Sequence, residues 1–411
     1  MTSEGVLFNA LDRHFWPTIP GRIGVAVSGG SDSLALLHIL VDWGQAPLVA
    51  ATVDHGLRPE AQDEAAYVAR ICEGLGVPHQ TLTWQGWNGR GNLQDHARRN
   101  RYALLSEWAQ NESIEAVCLG HTENDQAETF LMRLARESGL DGLTGMPATT
   151  ERFGMRFDRP LLGVGRAALR AYLEKRGVDW VEDPSNDDAG FDRIKARQAL
   201  ESLASLGISA GKIGQTIHNL TQERRLVAET AKDYALRLTR VAGGDLVFDR
   251  AGLRQLNPEL QRRLLAAAFR WIATEDYPPR RDALADILAA VQEKRNATLH
   301  GCLMLVADMT VRITREYNAV RVLSSSTNAL WDGRWTLSGP HDPSLEVRAL
   351  GDALATCEDW RDTGLPRQSL VASPAIWSGE TLIAAPLAGH PNGWTAETPD
   401  RDHFAASLIS R

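Results

Sequence analysis

The chain has 411 residues, 43% of them hydrophobic and 23% charged, which is enough for two or three globular domains and is not typical of a disordered protein. Its net charge of −8 argues against a uniformly basic nucleic-acid-binding protein, although local arginine clusters can still attract phosphates. The start lacks a secretory signal, no apolar run approaches the roughly 20 residues of a membrane span, and the four scattered cysteines indicate no disulfide framework or metal cluster. We therefore expect a cytoplasmic protein without membrane association.

The first predicted strand, residues 23–27, leads into a small, polar loop and then into an apolar helix at 34–41. The loop is Ser28-Gly29-Gly30-Ser31-Asp32-Ser33. Glycines allow a close approach of backbone to ligand, and the N–H groups of a helix start attract anions, so we predict a phosphate-binding loop. The loop has no lysine and is not a Walker A motif. Because Asp32 would repel a phosphate, a bound Mg²⁺ is expected between them. The alternative is an ordinary strand-to-helix turn.

Strand-like and helix-like segments then alternate. Strands are predicted at 47–55, 79–84 and 115–120, and helices at 61–75, 93–110 and 125–136. This alternation predicts an α/β fold with a parallel sheet and helices on both faces. Ser28, Asp54 and His121 all follow predicted strands, and ligands bind such sheets at the carboxyl ends of the strands. The sequence thus places these three residues at one crevice.

A second polar segment, residues 120–129, follows the strand at 115–120. If a helix begins near His121, then His121, Asp125 and Glu128 share one helical face. Polar groups at a crevice require partners, and these carboxylates suit either Mg²⁺ or an ammonium group. The alternative is an acidic first turn that complements the helix dipole.

The pattern becomes helical from about residue 196, with a long amphipathic segment at 216–240 and strand-like alternation within 299–323. Residues after 327 are rich in Gly, Pro and Trp. We predict domains at 1–210, 211–326 and 327–411, the second mainly helical and the third small and mixed α+β. The segment Gly163–Ala168 fits a dinucleotide fingerprint, but its place at the end of the α/β region favours a simple strand-to-helix turn.

Several segments together resemble a known family. The loop at 28–33 resembles the SGGxDS loop of the N-type ATP pyrophosphatases, or PP-loop enzymes, which cleave ATP between the α- and β-phosphates. The ordered set that follows is similar to the tRNA(Ile)-lysidine synthetases: VDHGLRPEA (53–61), NLQDHARRNRYALL (92–105), GHTENDQAETFLMRLARESGLDGLTGM (120–146), RPLL (159–162) and VEDPSNDDAGFDRIKARQAL (181–200). Residues 364–386 are similar to that family's C-terminal module.

The resemblance implies ATP-dependent ligation of L-lysine to C2 of cytidine 34 in the CAU anticodon of tRNA(Ile), through an adenylated cytidine, with a change of codon reading from AUG to AUA. It implies that Ser28 to Ser33 and Val53 bind ATP and that Asp32 holds Mg²⁺. Further roles are implied for catalytic residues (Asp32, His121, Asp125, Arg98 and Arg101) and for substrate-binding residues (Asp125, Glu128, Arg193 and Arg197). The acceptor of lysine's proton is left open between Asp125 and His121.

The resemblance also implies that the two C-terminal domains contact tRNA, with the arginines between 262 and 281 as the candidates for the stem contact. Asp183 and Asn186 are implied to shape the far wall of the site or to touch tRNA. A homodimer is left open. The chain departs from the family pattern at Thr122 and Asn124, where His and Asp are usual, and this leaves open how many carboxylates hold Mg²⁺. The alternatives are another PP-loop tRNA-modifying or amide-forming ligase, and a non-catalytic ATP-binding module.

Overall fold

The computed structural model describes residues 3–56, 60–84, 93–182, 192–275 and 277–409. The chain divides into two compact units, Met1–Arg224 and Arg225–Arg411. The boundary between the units falls within one long helix. The three-domain division stays a prediction.

Unit 1 is built from alternating helices and strands. Its helices are α1 (Ser3–Phe15), α2 (Ser31–Trp43), α3 (Glu60–Gly74), α4 (Leu93–Asn111), α5 (Glu123–Leu134), α6 (Leu140–Leu143), α7 (Arg166–Glu174) and α8 (Asp192–Leu203). Its strands are β1 (Ile23–Ala26), β2 (Leu48–Asp54), β3 (His79–Thr83), β4 (Ala116–Leu119), β5 (Thr149–Arg152) and β6 (Met155–Asp158). The predicted helices and strands as far as residue 136 are confirmed, and their ends agree to within about two residues. The exception is the helix predicted at 34–41, because α2 begins three residues earlier, at Ser31.

The six strands form one sheet in the order β3-β2-β1-β4-β6-β5, in which only the β5–β6 pair is antiparallel. The central strand β1 is buried along its whole length, as expected of a strand covered on both faces. Ile23 and Val25 pack with apolar residues of α1, α2 and α7, whereas Ala26 belongs to a second core with α4. The predicted parallel sheet with helices on both faces is therefore confirmed.

The strand order places a crevice at the ends of β1 and β4. From β1 the chain adds β2 and β3 on one side, then returns to add β4 on the other side. In open α/β sheets such a reversal separates the loops after the two strands and leaves room for a ligand. Here those loops are the phosphate-loop candidate after β1 and the segment that contains His121 after β4.

A long helix, α9 (Ala210–Leu238), spans the unit boundary and confirms the predicted amphipathic segment. The other helices of unit 2 are α10 (Arg250–Gln255), α11 (Pro258–Ala273), α12 (Arg281–Glu293), α13 (Tyr317–Val320), α14 (Arg367–Val371) and α15 (Arg401–Ser407). Its strands are β7 (Thr239–Ala242), β8 (Asp245–Asp249), β9 (Ala297–Leu299), β10 (Cys302–Val306), β11 (Thr310–Arg315), β12 (Ser324–Ser326), β13 (Thr336–Ser338), β14 (Glu346–Ala349), β15 (Pro374–Ser378), β16 (Thr381–Ala384) and β17 (Thr395–Glu397).

The strands of unit 2 form antiparallel sheets in the orders β7-β8-β11-β10-β9, β12-β14-β15-β16 and β13-β17. Helices α11 and α12 pack on the five-stranded sheet, and their apolar faces supply much of its core. The helical region and the mixed C-terminal region expected from the sequence are both present. None of the helices in the described ranges combines the length and apolar character needed to cross a bilayer.

Candidate active site

A cleft of about 710 Å³ opens at the carboxyl ends of β1 and β4. It is lined mainly by polar and charged side chains, which suits a charged ligand better than an apolar one. The predicted site residues that line it are Ser28, Gly30, Ser31, Asp32, Ser33, Arg101, His121, Asp125 and Arg197. The structure therefore brings the loop after β1 and the segment after β4 together, as the strand ends predicted, but Asp54, predicted at the same crevice, does not line the cleft.

The loop after β1 is shaped by its own hydrogen bonds. The Ser33 hydroxyl accepts from Ser28 N–H at 3.1 Å and donates to the carbonyl of Gly30 at 3.0 Å, so it stabilises the turn. The Ser31 hydroxyl donates to Asp32 at 3.3 Å, and Ser28 is exposed. The first N–H groups of α2 have no helical carbonyl to bond, as at any helix start, and they remain the main anion-binding feature of the loop.

Two glycines allow this loop to lie where it does. Gly29 has φ of +87°, a conformation that favours glycine, and its carbonyl accepts from Val181 N–H at 3.0 Å. Gly120, at the end of β4, has no side chain, and a Cβ there would lie 2.9 Å from backbone atoms of Asp32 and Ser33. The two halves of the crevice are in backbone contact at this point.

The helix after β4 begins at Glu123, two residues before the predicted start at 125 and two residues after the start near His121 that a shared helical face would require. Thr122 is the N-cap of α5, and it forms a capping box with Asp125: Asp125 Oδ2 accepts from Thr122 N–H and from its hydroxyl, both at 2.8 Å. His121 therefore precedes the helix and does not share a helical face with Asp125 and Glu128. It still lines the cleft.

Three carboxylates and three arginines form an ionic cluster beside the loop. Glu128, only 1% exposed, is paired with Arg193 at 3.3 Å and with Arg197 at 3.1 Å. Asp125 Oδ1 lies 3.5 Å from Arg166 and 4.0 Å from Arg193. Burial opposes ionisation of Asp125, but Arg193, Arg166 and the bonds from Thr122 outweigh it and hold its pKa below the ordinary value.

Asp32 belongs to the same cluster through one contact. Arg166 Nε lies 2.8 Å from Asp32 Oδ2, and both side chains are largely buried. Burial raises the pKa of Asp32 above its ordinary value, and Arg166 offsets only part of that effect. A cation beside Asp32 therefore favours the ionised form of this carboxylate.

His121 lies between the cleft and a smaller cavity of about 180 Å³, whose lining also includes His55, Arg98, Arg101 and Tyr102. Burial lowers the pKa of His121 to about 3, with Arg159 and Arg101 adding to the effect and Asp125 opposing it. The ring is therefore neutral near pH 7. Its Nδ1 is buried and has no hydrogen-bond partner in the described part of the chain.

Comparison with known proteins places the chain in a family. The model of a family described as a PP-loop domain matches residues 8–203. A tRNA(Ile)-lysidine synthase of Ruegeria pomeroyi is 49% identical over 98% of this chain and 98% of its own length. One from Zymomonas mobilis is 42% identical over 68% of this chain and 84% of its own length. The chain belongs to the tRNA(Ile)-lysidine synthase family.

Among solved structures, a U34-tRNA thiolase from Methanococcus maripaludis aligns with 54% of this chain and 80% of its own, at 16% identity and a TM-score of 0.47. ATP binding is supported by the family, because its PP-loop domain is the part that contains the loop at 28–33.

The two departures from the usual lysidine synthase pattern have structural roles here. Thr122 caps α5. The side-chain oxygen of Asn124 accepts from the backbone N–H of Arg166 at 2.9 Å, and so fixes the start of α7 against α5. Asn124 is thereby engaged with protein backbone.

The remaining predicted residues differ in how they are placed relative to the cleft. Gly29 and Val53 are not among the residues that line it, and Val53 packs beside the core of α4 and β2. Arg98 lines the smaller cavity and stacks over Tyr102, while Arg101 lines both cavities. Arg193 is held against Glu128, although the cleft lining includes Arg197 and not Arg193. Asp183 and Asn186 lie outside the described residues.

The role of Arg166 in the ionic cluster was not predicted from the sequence. The segment Gly163–Ala168 is indeed a turn into a helix, since α7 begins at Arg166, but that arginine projects into the acidic cluster. No local pattern marks it, because Asp32 is 134 residues away along the chain. The capping role of Thr122 could have been predicted from the sequence, because Thr122-x-x-Asp125 has the spacing of a capping box.

Proposed function

We propose that this protein ligates L-lysine to C2 of cytidine 34 in the CAU anticodon of tRNA(Ile), consuming ATP and releasing AMP and pyrophosphate. The observation that carries the proposal is the 49% identity to a tRNA(Ile)-lysidine synthase over 98% of both chains. The cleft adds independent support, because it combines an anion-binding loop with acidic groups suited to an amine. The product, lysidine, changes the codon read from AUG to AUA.

The chemistry explains the need for ATP. The C2 carbonyl of cytosine is a urea-like centre and a poor electrophile. Transfer of AMP from ATP to O2 breaks the bond between the α- and β-phosphates, releases pyrophosphate and turns O2 into a leaving group. The ε-amine of lysine then attacks C2, loses a proton, and O2 departs with AMP.

The residues at the loop fit a nucleotide with Mg²⁺. The start of α2 and the exposed Ser28 suit the β- and γ-phosphates, and Asp32 provides one carboxylate beside them. No group of three or more His, Cys, Asp or Glu side chains is arranged to hold a metal within the described ranges. Mg²⁺ commonly binds through one or two carboxylates together with substrate phosphates and water, so Asp32 is a sufficient protein ligand. The ion would neutralise charge on the departing pyrophosphate.

The lysine subsite is proposed beside Asp125. Asp125 lines the cleft, whereas Glu128 is buried, paired with two arginines and not part of the lining. Asp125 is therefore the carboxylate better placed to meet an ammonium group, and Glu128 sets the positions of Arg193 and Arg197 beside it. The two arginines supply positive charge for the carboxylate of lysine or for a tRNA phosphate.

The acceptor for the proton of lysine is proposed to be His121 or Asp125, both of which line the cleft. The His121 ring is neutral, but burial lowers its pKa to about 3 and makes it a weak base, while both oxygens of Asp125 already have partners. Arg98, in the smaller cavity beside His121, and Arg101, which lines both cavities, are proposed to stabilise phosphate charge or to contact the tRNA backbone.

The tRNA is proposed to contact unit 2 through basic residues. Arg280 and Arg281 are exposed at the start of α12, whereas Arg262 and Arg263 are paired with Glu259 on their own helix. The first pair is thus the better candidate for phosphate contacts. A cytoplasmic location and homodimer assembly stay predictions.

The main rival is a PP-loop enzyme that inserts sulfur or joins a different amine. All four cysteines are buried, and burial raises the pKa of Cys72 to about 11 and that of Cys302 to about 12, so neither is a reactive thiolate. A non-catalytic ATP-binding module is the other alternative. Pyrophosphate release over many turnovers with tRNA present separates the three: we expect sustained release that depends on both tRNA and lysine, because without lysine the tRNA stops at the adenylated cytidine. Release that ignores lysine would favour a rival enzyme, and no release would favour a binding module.

A further inference from the structure

Arg166 is in contact with all three carboxylates of the proposed site. Its Nε lies 2.8 Å from Asp32, its Nη2 3.5 Å from Asp125 and its Nη1 3.7 Å from Glu128. The side chain is only 20% exposed. One guanidinium thus links the phosphate loop to the acidic face of α5.

The backbone of Arg166 is fixed independently of its side chain. Its N–H donates to Asn124 at 2.9 Å, and the neighbouring carbonyl of Val164 accepts from Glu123 N–H at 3.0 Å. These bonds attach the start of α7 to the start of α5. The guanidinium can therefore change partners without moving the helix that carries it.

The three carboxylates depend on Arg166 to different degrees. Glu128 keeps Arg193 and Arg197 without it, and Asp125 keeps the bonds from Thr122. Asp32 has no other cation within ion-pair distance in the described part of the chain. Arg166 therefore controls the charge balance of Asp32 above all.

We propose that Arg166 is a positioning residue that occupies Asp32 in the ligand-free enzyme and releases it when a divalent cation binds there. The inference rests on the proposed Mg²⁺ site at Asp32. A cation at Oδ2 and the guanidinium Nε compete for the same oxygen. Once released, the guanidinium remains in the cleft beside the phosphate loop, where its planar donors suit phosphate oxygens. Binding of the cation at Asp32 and binding of the nucleotide phosphates are thereby coupled through the side chain of Arg166.

The proposal predicts effects of opposite sign in Arg166→Gln. Without nucleotide, Mn²⁺ should bind at least about fivefold more tightly than in wild type, because a competing ion pair of roughly 1 kcal/mol is removed. With saturating Mg²⁺ present, the ATP analogue with a methylene between its α- and β-phosphates should bind several-fold more weakly to the variant, because the glutamine supplies no charge for the phosphates once Asp32 holds the cation. Both affinities are measured on the full chain, by electron paramagnetic resonance for Mn²⁺ and by calorimetry for the nucleotide.

Arg170→Gln is the matched control, since Arg170 lies one turn later on α7, lines the same cleft and pairs with Glu182. It should leave Mn²⁺ affinity unchanged. Adding Asp32→Asn to Arg166→Gln should abolish the gain, which assigns it to this carboxylate. If Arg166→Gln fails to fold, Arg166→Lys provides the same comparison with a weaker competitor. Unchanged or weaker Mn²⁺ binding in the folded variant would overturn the proposal, whereas failure of lysine ligation by wild type would overturn the proposed function instead.

Discussion

At the scale of single residues, the site is an arrangement of charges that balance one another. Asp32, Asp125 and Glu128 face Arg166, Arg193 and Arg197, so the cluster is neutral before any ligand arrives. A charged substrate that binds here therefore replaces one partner of an existing carboxylate–arginine ion pair. Changes at individual carboxylates should therefore affect particular ligands more than the fold.

Asp32→Asn should remove AMP transfer to tRNA while the protein remains folded. The amide keeps the size of the side chain but is a poor ligand for a divalent cation. AMP transfer is followed by tRNA-dependent release of pyrophosphate, and folding by thermal unfolding. Near-normal turnover of this variant would contradict the assigned metal role.

Asp125→Asn should raise the KM for lysine by at least about tenfold and change the KM for ATP far less, because the neutral amide has no charge to pair with an ammonium group. Asparagine retains an oxygen that can accept from Thr122, so the cap of α5 is largely preserved. Steady-state kinetics with each substrate varied in turn makes the comparison. Equal effects on both KM values would remove the proposed interaction with lysine.

His121 should make folding stability depend on pH. Its pKa is lowered from 6.5 to about 3, so the unfolded chain binds the proton more readily between those values. The stabilisation is then present above pH 6.5 and is lost as the pH falls toward 3. His121→Gln should lose less stability than wild type between pH 7 and pH 5, measured by urea denaturation. Identical pH dependence in both proteins would mean that the ring is not buried in its neutral form.

At the scale of elements, the crevice depends on contact between the end of β4 and the start of α2. Gly120→Ala would place a Cβ 2.9 Å from the backbone of Asp32 and Ser33, and backbone cannot move aside as a flexible side chain can. We expect ATP affinity to fall by an order of magnitude or more, because the phosphate loop is displaced. Gly163→Ala is the control, since nothing lies within 4 Å of its Cβ position. Equal nucleotide affinity in the two variants, measured by calorimetry, would contradict this account of the loop.

Many of the helices and strands of unit 1 were predictable from the sequence, because local patterns of apolar residues mark them. The apolar runs of β1, β2, β3 and β4 are each followed by a helix of recognisable length, so these four strands could be placed within about two residues, whereas the hairpin of β5 and β6 was not predicted. The partner of Arg166 was not predictable, because it requires α7 to pack against α2, which no spacing in the sequence states. The start of α5 was misplaced by two residues because polar residues precede it, although Thr122 and Asp125 carried the capping signal.

At the scale of the molecule, an acidic chain is proposed to bind a polyanion. A chain of negative net charge can bind tRNA only through a surface where positive charge is concentrated, as at the exposed Arg280 and Arg281. Replacing both by Gln should weaken tRNA binding and reduce the slope of log affinity against log salt by about one for each phosphate that the variant no longer neutralises. Arg225→Gln, at an exposed arginine already paired with Glu229, is the control. Filter binding over a series of salt concentrations measures the slope, and an unchanged slope in the double variant would exclude this surface.

We infer that the loop after β1 and the acids of α5 serve one reaction, the transfer of lysine to a cytidine. The most direct measurement is the incorporation of radiolabelled lysine into tRNA(Ile) with the CAU anticodon, with the CAU-anticodon methionine tRNA as the comparison. We predict ATP-dependent incorporation into the isoleucine tRNA and far less into the methionine tRNA. No incorporation into either tRNA, with ATP and Mg²⁺ present, would contradict the account.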